Sequence, residues 1–200
     1  MIFDTPVLSG KQVRLEPLTE EHLAGLRAAV TDGELWTLFY TSVPHPDELQ
    51  TFFANASREH EAGLGQTFAT IDCASGRVIG STRFMNASLV NKRVEIGFTF
   101  IARSFQKTLI NTEAKLLMLT HVFESLGLNR VEFVTDYLNT ASRAAILRLG
   151  AKEEGILRNH RVMPNGRIRD SVVFSILTNE WPGVKQNLQH KLSLPRVAAN

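Results

Sequence analysis

The sequence predicts an α/β (α+β) fold in which a mixed sheet is covered by helices. Three observations carry this expectation. Short runs with the two-residue alternation of strands are interleaved with runs at helical spacing. Two strand connections are short enough for antiparallel hairpins. One helix in the middle of the chain is apolar around so much of its circumference that it must be largely buried.

Residues 13–18 alternate around Arg14 and Glu16 like a strand, and Thr19 followed by Glu20 and Glu21 makes a helix N-terminus. Leu23, Leu26 and Val30 give that helix one apolar face. A second helix starts after His45-Pro46, because proline suits the first helical position and Leu49, Phe52, Phe53 and Ala56 recur at helical spacing. Residues 66–72 and 77–85 are β-like, and Cys73-Ala74-Ser75-Gly76 between them suits a hairpin. Residues 86–92 read as a polar loop. In the next strand Val94, Ile96, Phe98 and Phe100 alternate with Glu95, Gly97 and Thr99, which predicts one apolar and one mixed face.

Residues 111–125 form the buried helix, through Leu116, Leu117, Met118, Leu119, Val122 and Phe123, and Gly127 ends it. Residues 130–136 are a further strand and residues 140–149 an alanine-rich helix stopped by Gly150. Pro164-Asn165-Gly166 then turns between two final strands. We expect one domain over residues 1–200, with its core at about 10–178, a C-terminal appendage at 179–200 opened by Trp181-Pro182, and a loose tail from Ser193.

Composition excludes several classes. With 44% apolar residues, 200 residues bury one substantial core. A formal net charge of +2 leaves no large basic face, so nucleic acid is not an expected partner. Cys73 is the only cysteine, and the six histidines show no zinc spacing, so no metal is expected. The first ten residues lack the basic and apolar segments of a leader, and no long apolar run occurs, so the expectation is a cytoplasmic protein away from membranes.

Between the Glu95 strand and the buried helix lies Arg103-Ser104-Phe105-Gln106-Lys107-Thr108-Leu109-Ile110-Asn111-Thr112, a polar loop entering an apolar helix. The first amides of such a helix lack intrahelical acceptors, and with the helix dipole they make an anion site. Lys107 adds charge and Thr108 a hydroxyl.

Here the chain resembles the GNAT acyltransferase superfamily, whose acetyl-CoA loop has the pattern Q/R-x-x-G-x-G/A between a strand and a long helix; Gln106 opens the corresponding run. Within it, the sequence resembles the branch of RimJ/RimL-like ribosomal-protein N-terminal-alanine acetyltransferases, through Thr112-Glu113-Ala114, Asn139-Thr140-Ala141-Ser142 and Leu149-Gly150-Ala151. Leu109 stands at the pattern's first glycine and Asn111 at its second position, so the side chain of Leu109 is expected to bear on the pyrophosphate. The resemblance implies a mostly antiparallel sheet whose central parallel strands splay apart, with acetyl-CoA as co-substrate and a primary amine as acceptor, either a small molecule or a peptide N-terminus. It implies CoA contacts from Phe98, Thr99, Phe100 and Ile101 at the strand end, from Gln106, Lys107, Thr108, Leu109, Ile110, Asn111 and Thr112 in the loop, and from Asn139, Ser142 and Arg143 across the opening. A homo-oligomer completing the acceptor groove is compatible with it. An inactive CoA-binding sensor or interaction domain on the same fold is the alternative.

Acetyl transfer to an amine needs a proton acceptor for the ammonium and a proton for the departing thiolate. Glu95 is the candidate base, directly or through water; its plainer alternative is a paired strand carboxylate, and Glu132 is a second choice. Ser142, matching the branch's N-x-x-S serine, is the candidate donor to the thiolate or else a helix-surface hydroxyl. Ile146 stands where many members carry tyrosine, which removes a tyrosine acid there. Asn139 suits either pantetheine amides or a helix cap, and Arg143 either a phosphate or a solvated helix face. Arg158, His160 and Arg161 flank the acceptor side or decorate a strand.

Overall fold

The computed structural model describes residues 6–194. Strands β1 (Leu8–Ser9), β2 (Val13–Pro17), β3 (Gln66–Asp72), β4 (Val78–Ser88), β5 (Arg93–Ile101), β6 (Arg130–Asp136), β7 (Lys152–Val162) and β8 (Ile168–Leu177) form one sheet in the order β1-β2-β3-β4-β5-β6-β8-β7. Every neighbouring pair is antiparallel except β5 and β6, which are parallel. The helices are α1 (Leu23–Thr31), α2 (Leu49–Glu61), α3 (Ile110–Thr120), α4 (Thr140–Leu149) and α5 (Trp181–Ser193).

The sheet separates two apolar clusters. On one side α3 and α5 bury Met118, Leu119, Trp181 and Leu188 against Val94, Ile96, Phe84 and Phe174. On the other, Leu26 and Val30 of α1 meet Leu49 and Phe52 of α2 and Phe100 of β5. Capping follows the sequence: Pro46 opens the turn before α2, the Asn139 side-chain Oδ1 accepts from Ser142 N at 3.0 Å, and Gly150 ends α4 at φ +102°.

Three segments differ from expectation. Asn86 to Ser88, expected in a loop, continue β4, since Ser88 still pairs with Arg93 beyond a bulge. The helix from α3 ends in a π turn at His121–Ser125. Residues 181–193, expected as an appendage, form α5, whose Trp181 stacks on Phe123 with centroids 5.4 Å apart and donates Nε1–H to Glu124 at 2.7 Å. The tail expected beyond Ser193 lies, from residue 195, outside the described residues.

Glu113, on α3 and 7% exposed, accepts backbone N–H bonds from Lys11, Gln12 and Val13 at 2.8, 2.7 and 2.9 Å. One carboxylate therefore fastens the β1–β2 connection to the helix that starts at the polar loop.

Candidate functional site

β5 and β6 pair only at Arg93–Arg130, Val94–Val131 and Glu95–Glu132. Beyond that point β5 continues to Ile101 and β6 to Asp136 on separate courses, and a cleft of about 540 Å³ opens between them. The parting coincides with a bulge in β5. Arg83 of β4 faces Gly97 and Ser81 faces Phe100, so two residues of β5, Phe98 and Thr99, stand opposite Thr82 alone. Phe98 has φ +45°, a conformation costing a non-glycine residue about 1–3 kcal/mol. Its surroundings hold it there: the Arg83 guanidinium carbon lies 4.6 Å from the Phe98 ring centroid and 5.2 Å from that of Phe52, and Arg83 is itself paired with Glu59 at 2.8 Å.

The bulge corrects the expected alternation. Val94 and Ile96 face α3, but beyond Phe98 it is Phe100 that joins the α1–α2 cluster and Thr99 that turns toward α3. Glu95 and Thr99 are therefore on opposite faces of the sheet, not on one mixed face, because the inserted residue breaks the two-residue period. Phe98, Thr99, Phe100 and Ile101 all still border the cleft.

The loop after β5 is cross-tied. Gln106 Nε2 donates to the Ile101 carbonyl at 2.8 Å; Thr108 Oγ1 donates to the Phe105 carbonyl at 2.8 Å and accepts from Ile110 N at 3.3 Å. The first helical bond of α3 runs from Glu113 N to the Leu109 carbonyl, 2.9 Å, so the amides of Asn111 and Thr112 precede it and face the cleft end of the dipole. Gln106, Lys107, Thr108, Asn111 and Thr112 border the cleft, whereas Ile110 is buried in the core and Leu109 is not on the cleft wall. The left-handed residue of this loop is Lys107, at φ +58°; Leu109 has φ −80° and ψ −5°, which a leucine adopts without strain. Asn111 Oδ1 is buried without a hydrogen-bond partner.

Across the opening, Asn139 and Ser142 border the cleft, with Asn139 also serving as the α4 cap. Arg143 does not reach it: its guanidinium lies on the Tyr137 ring, 4.9 Å from the centroid, and toward Glu153 at 3.6 Å. Arg148, one turn and a half further on, borders the cleft instead. Of Arg158, His160 and Arg161, only Arg161 is on the cleft wall.

Glu95 is 6% exposed and borders the cleft. Burial pushes its carboxyl above the usual carboxylate range, against the opposing pull of a hydrogen bond from Asn86 Nδ2, 2.8 Å, and of the positive charge on Arg161 and Arg169. Glu132 is held differently, in ion pairs with Arg93 at 3.0 Å and Arg130 at 2.8 Å.

Sequence reasoning missed Lys115. It is 4% exposed, and its Nζ donates to Thr82 Oγ1 at 2.7 Å and Thr99 Oγ1 at 2.8 Å, tying α3 to the bulge. Among the described residues it has no carboxylate partner, and burial pushes its pKa down to about 7. The one signal for it was a charged residue inside an apolar helix. The unfolded chain holds this proton up to about pH 10 while the folded chain releases it near 7, so stability rises with pH across that window. We expect wild type to gain roughly 2 kcal/mol over Lys115→Met between pH 7 and pH 9. Urea unfolding at both values checks this, and a pH-independent difference contradicts it.

A strand pair that parts over the N-terminus of a buried helix, one strand of it bulged, is an architecture that this chain shares with solved structures of the GCN5-related class. The model described as the acetyltransferase (GNAT) domain matches residues 12–152, and the chain belongs to that family. It is 38% identical over 110 residues to the Bacillus subtilis protein named "Putative ribosomal N-acetyltransferase YdaF", a match spanning 55% of this chain and 59% of that one. Among solved structures, a GCN5-related N-acetyltransferase from Brucella melitensis superposes with a TM-score of 0.83 at 35% identity, covering 94% of this chain and 85% of the other. Mycobacterium smegmatis RimJ in complex with CoA-disulfide shares the fold, with a TM-score of 0.76 at 22% identity over 92% of this chain and 91% of that one.

Proposed function

We propose that the chain transfers the acetyl group of acetyl-CoA to a primary amine, and that a peptide α-amine is its acceptor class. The observation that carries this is the parting of β5 and β6 directly over the start of α3, with buried Glu95 where the two strands separate. The donor set fits an anionic nucleotide thioester. The Asn111 and Thr112 amides and Lys107 supply donors and charge for a pyrophosphate, and the unpartnered Asn111 Oδ1 supplies an acceptor for an amide N–H. Acetyl-CoA brings an activated acyl group whose thiol, with a reference pKa near 8.5, leaves readily. Glu95 accepts the ammonium proton through water, freeing the amine lone pair, and Ser142 stands on the opposite wall as proton donor to the thiolate.

The α-amine is favoured by proton availability. Its reference pKa is near 7.8 against about 10.4 for lysine, so freeing the lysine nitrogen at neutral pH costs about 3.5 kcal/mol more. The ribosomal name of the Bacillus subtilis relative supports a protein acceptor. The test compares acetyl-CoA turnover on a free peptide with turnover on its N-terminally blocked, lysine-containing counterpart, mass spectrometry locating the acetyl group. Modification of the free α-amine alone or in strong preference is expected; equal or faster lysine modification rejects the acceptor class.

A further inference from the structure

β7 and β8 form the end of the sheet beyond β6, and their register sets Arg161 directly opposite Arg169. Like charges in that arrangement repel, and a cross-strand pair of this kind costs stability unless something lies between. The chain supplies little. Arg169 is 7% exposed, its Nε is buried without a partner, and its one ion pair is a 4.0 Å approach of Nε to Asp136 Oδ2. Asp136 is already taken: the same oxygen is paired with Arg167, and its Oδ1 accepts from Leu138 N at 2.9 Å. The Arg161 side chain makes no hydrogen bond or ion pair among the described residues. Both residues border the cleft with Glu95, whose carboxylate attracts them without forming an ion pair with either among the described residues.

A buried guanidinium with unfilled donors is a costly arrangement that an anion relieves, and its planar fork matches a carboxylate. The phosphate-binding end of the cleft, at the start of α3, is on the β5 side of the opening, while these arginines are on β7 and β8 beyond β6. Both act electrostatically on Glu95, the proposed proton acceptor, so the anion they await is assigned to the acceptor amine's end of the cleft.

We propose that Arg161 and Arg169 bind a carboxylate carried by the acceptor, so that the amine to be acetylated belongs to an acidic molecule. This rests on the cleft's being an acetyltransferase site. The carboxylate has two sources, the side chain of an acidic residue next to a peptide N-terminus or the α-carboxylate of a free amino acid. In either case the arginines hold the anion while the amine is delivered to Glu95, and an acceptor lacking the carboxylate leaves the buried guanidinium unpaired.

The experiment uses the full chain and two acceptor pairs, a C-terminally amidated Ser-Glu peptide against its amidated Ser-Gln counterpart and serine against serine amide. Equilibrium binding is measured by calorimetry without acetyl-CoA, and kcat/KM with it. In at least one pair the carboxylate form is expected to bind about tenfold more tightly or better, and to have a correspondingly higher kcat/KM through KM. The pair that discriminates names the source. In Arg161→Gln, whose replaced side chain is exposed, the preference shrinks toward unity. Equal binding of acid and amide in both pairs overturns the proposal, even if both amides are acetylated and the acetyltransferase function stands. Selective binding of the acids with no turnover keeps the carboxylate site and instead removes the catalytic reading.

Discussion

Glu95→Gln is expected to lower kcat/KM for amine acetylation by a factor of about 10² to 10⁴ while the protein stays folded. Glutamine keeps the shape of the side chain and an oxygen to accept from Asn86, so the strand is not disturbed; only the capacity to take a proton is lost. The pH profile identifies the role. Because burial raises the Glu95 pKa, wild-type activity should fall as pH drops through that raised value, when the carboxylate gains its proton and ceases to be a base. Glu95→Gln should lose that descent and retain only the limb set by the amine itself. Steady-state rates from pH 5 to 9 on one α-amine peptide measure both effects, and a variant within about threefold of wild type, with an unchanged profile, rules Glu95 out as the proton acceptor.

The largest loss of stability is expected from Glu113→Ala, about 3 kcal/mol or more. Hydrogen bonds to a charged group contribute about 1.5–3 kcal/mol each, and here three amides lose their acceptor together, one of them buried. Those amides belong to the connection between β1 and β2, so the damage should spread from the sheet edge to the seat of α3. The fit is close: a Cβ built on Gly10 lies 2.6 Å from Glu113 Cδ, which explains a glycine there. Urea unfolding should show a lower midpoint with an unchanged slope. A loss under about 1 kcal/mol would mean that water replaces the carboxylate at little cost.

The parts of this fold legible in the sequence are those governed by local chemistry. The proline before α2, the asparagine and glycine bounding α4 and the Pro164-Asn165-Gly166 turn each act within a few residues, and the elements beside them stand where expected. The loop entering α3 was legible for the same reason, since helix starts are defined by their own amides. The bulge at Phe98 was not, because phenylalanine gives no sign of a left-handed backbone, and the packing of Arg83 that holds it comes from another strand. That omission placed Glu95 and Thr99 on one face. Lys115 and Arg169 were missed for a related reason: each acquires its character from burial, Lys115 through partners on distant strands, Thr82 and Thr99, and Arg169 through being enclosed opposite Arg161. Arg143 shows the converse. Its helix was anticipated, but the aim of the side chain depended on Tyr137 and Glu153.

A crystal structure of the full chain grown with saturating CoA tests the cleft most directly. The pyrophosphate is expected against the Asn111 and Thr112 amides beside Lys107, with the pantetheine arm lying between β5 and β6 where their pairing ends and its sulfur toward Ser142. CoA density elsewhere on the protein, with the Gln106 to Thr112 loop empty, would contradict it.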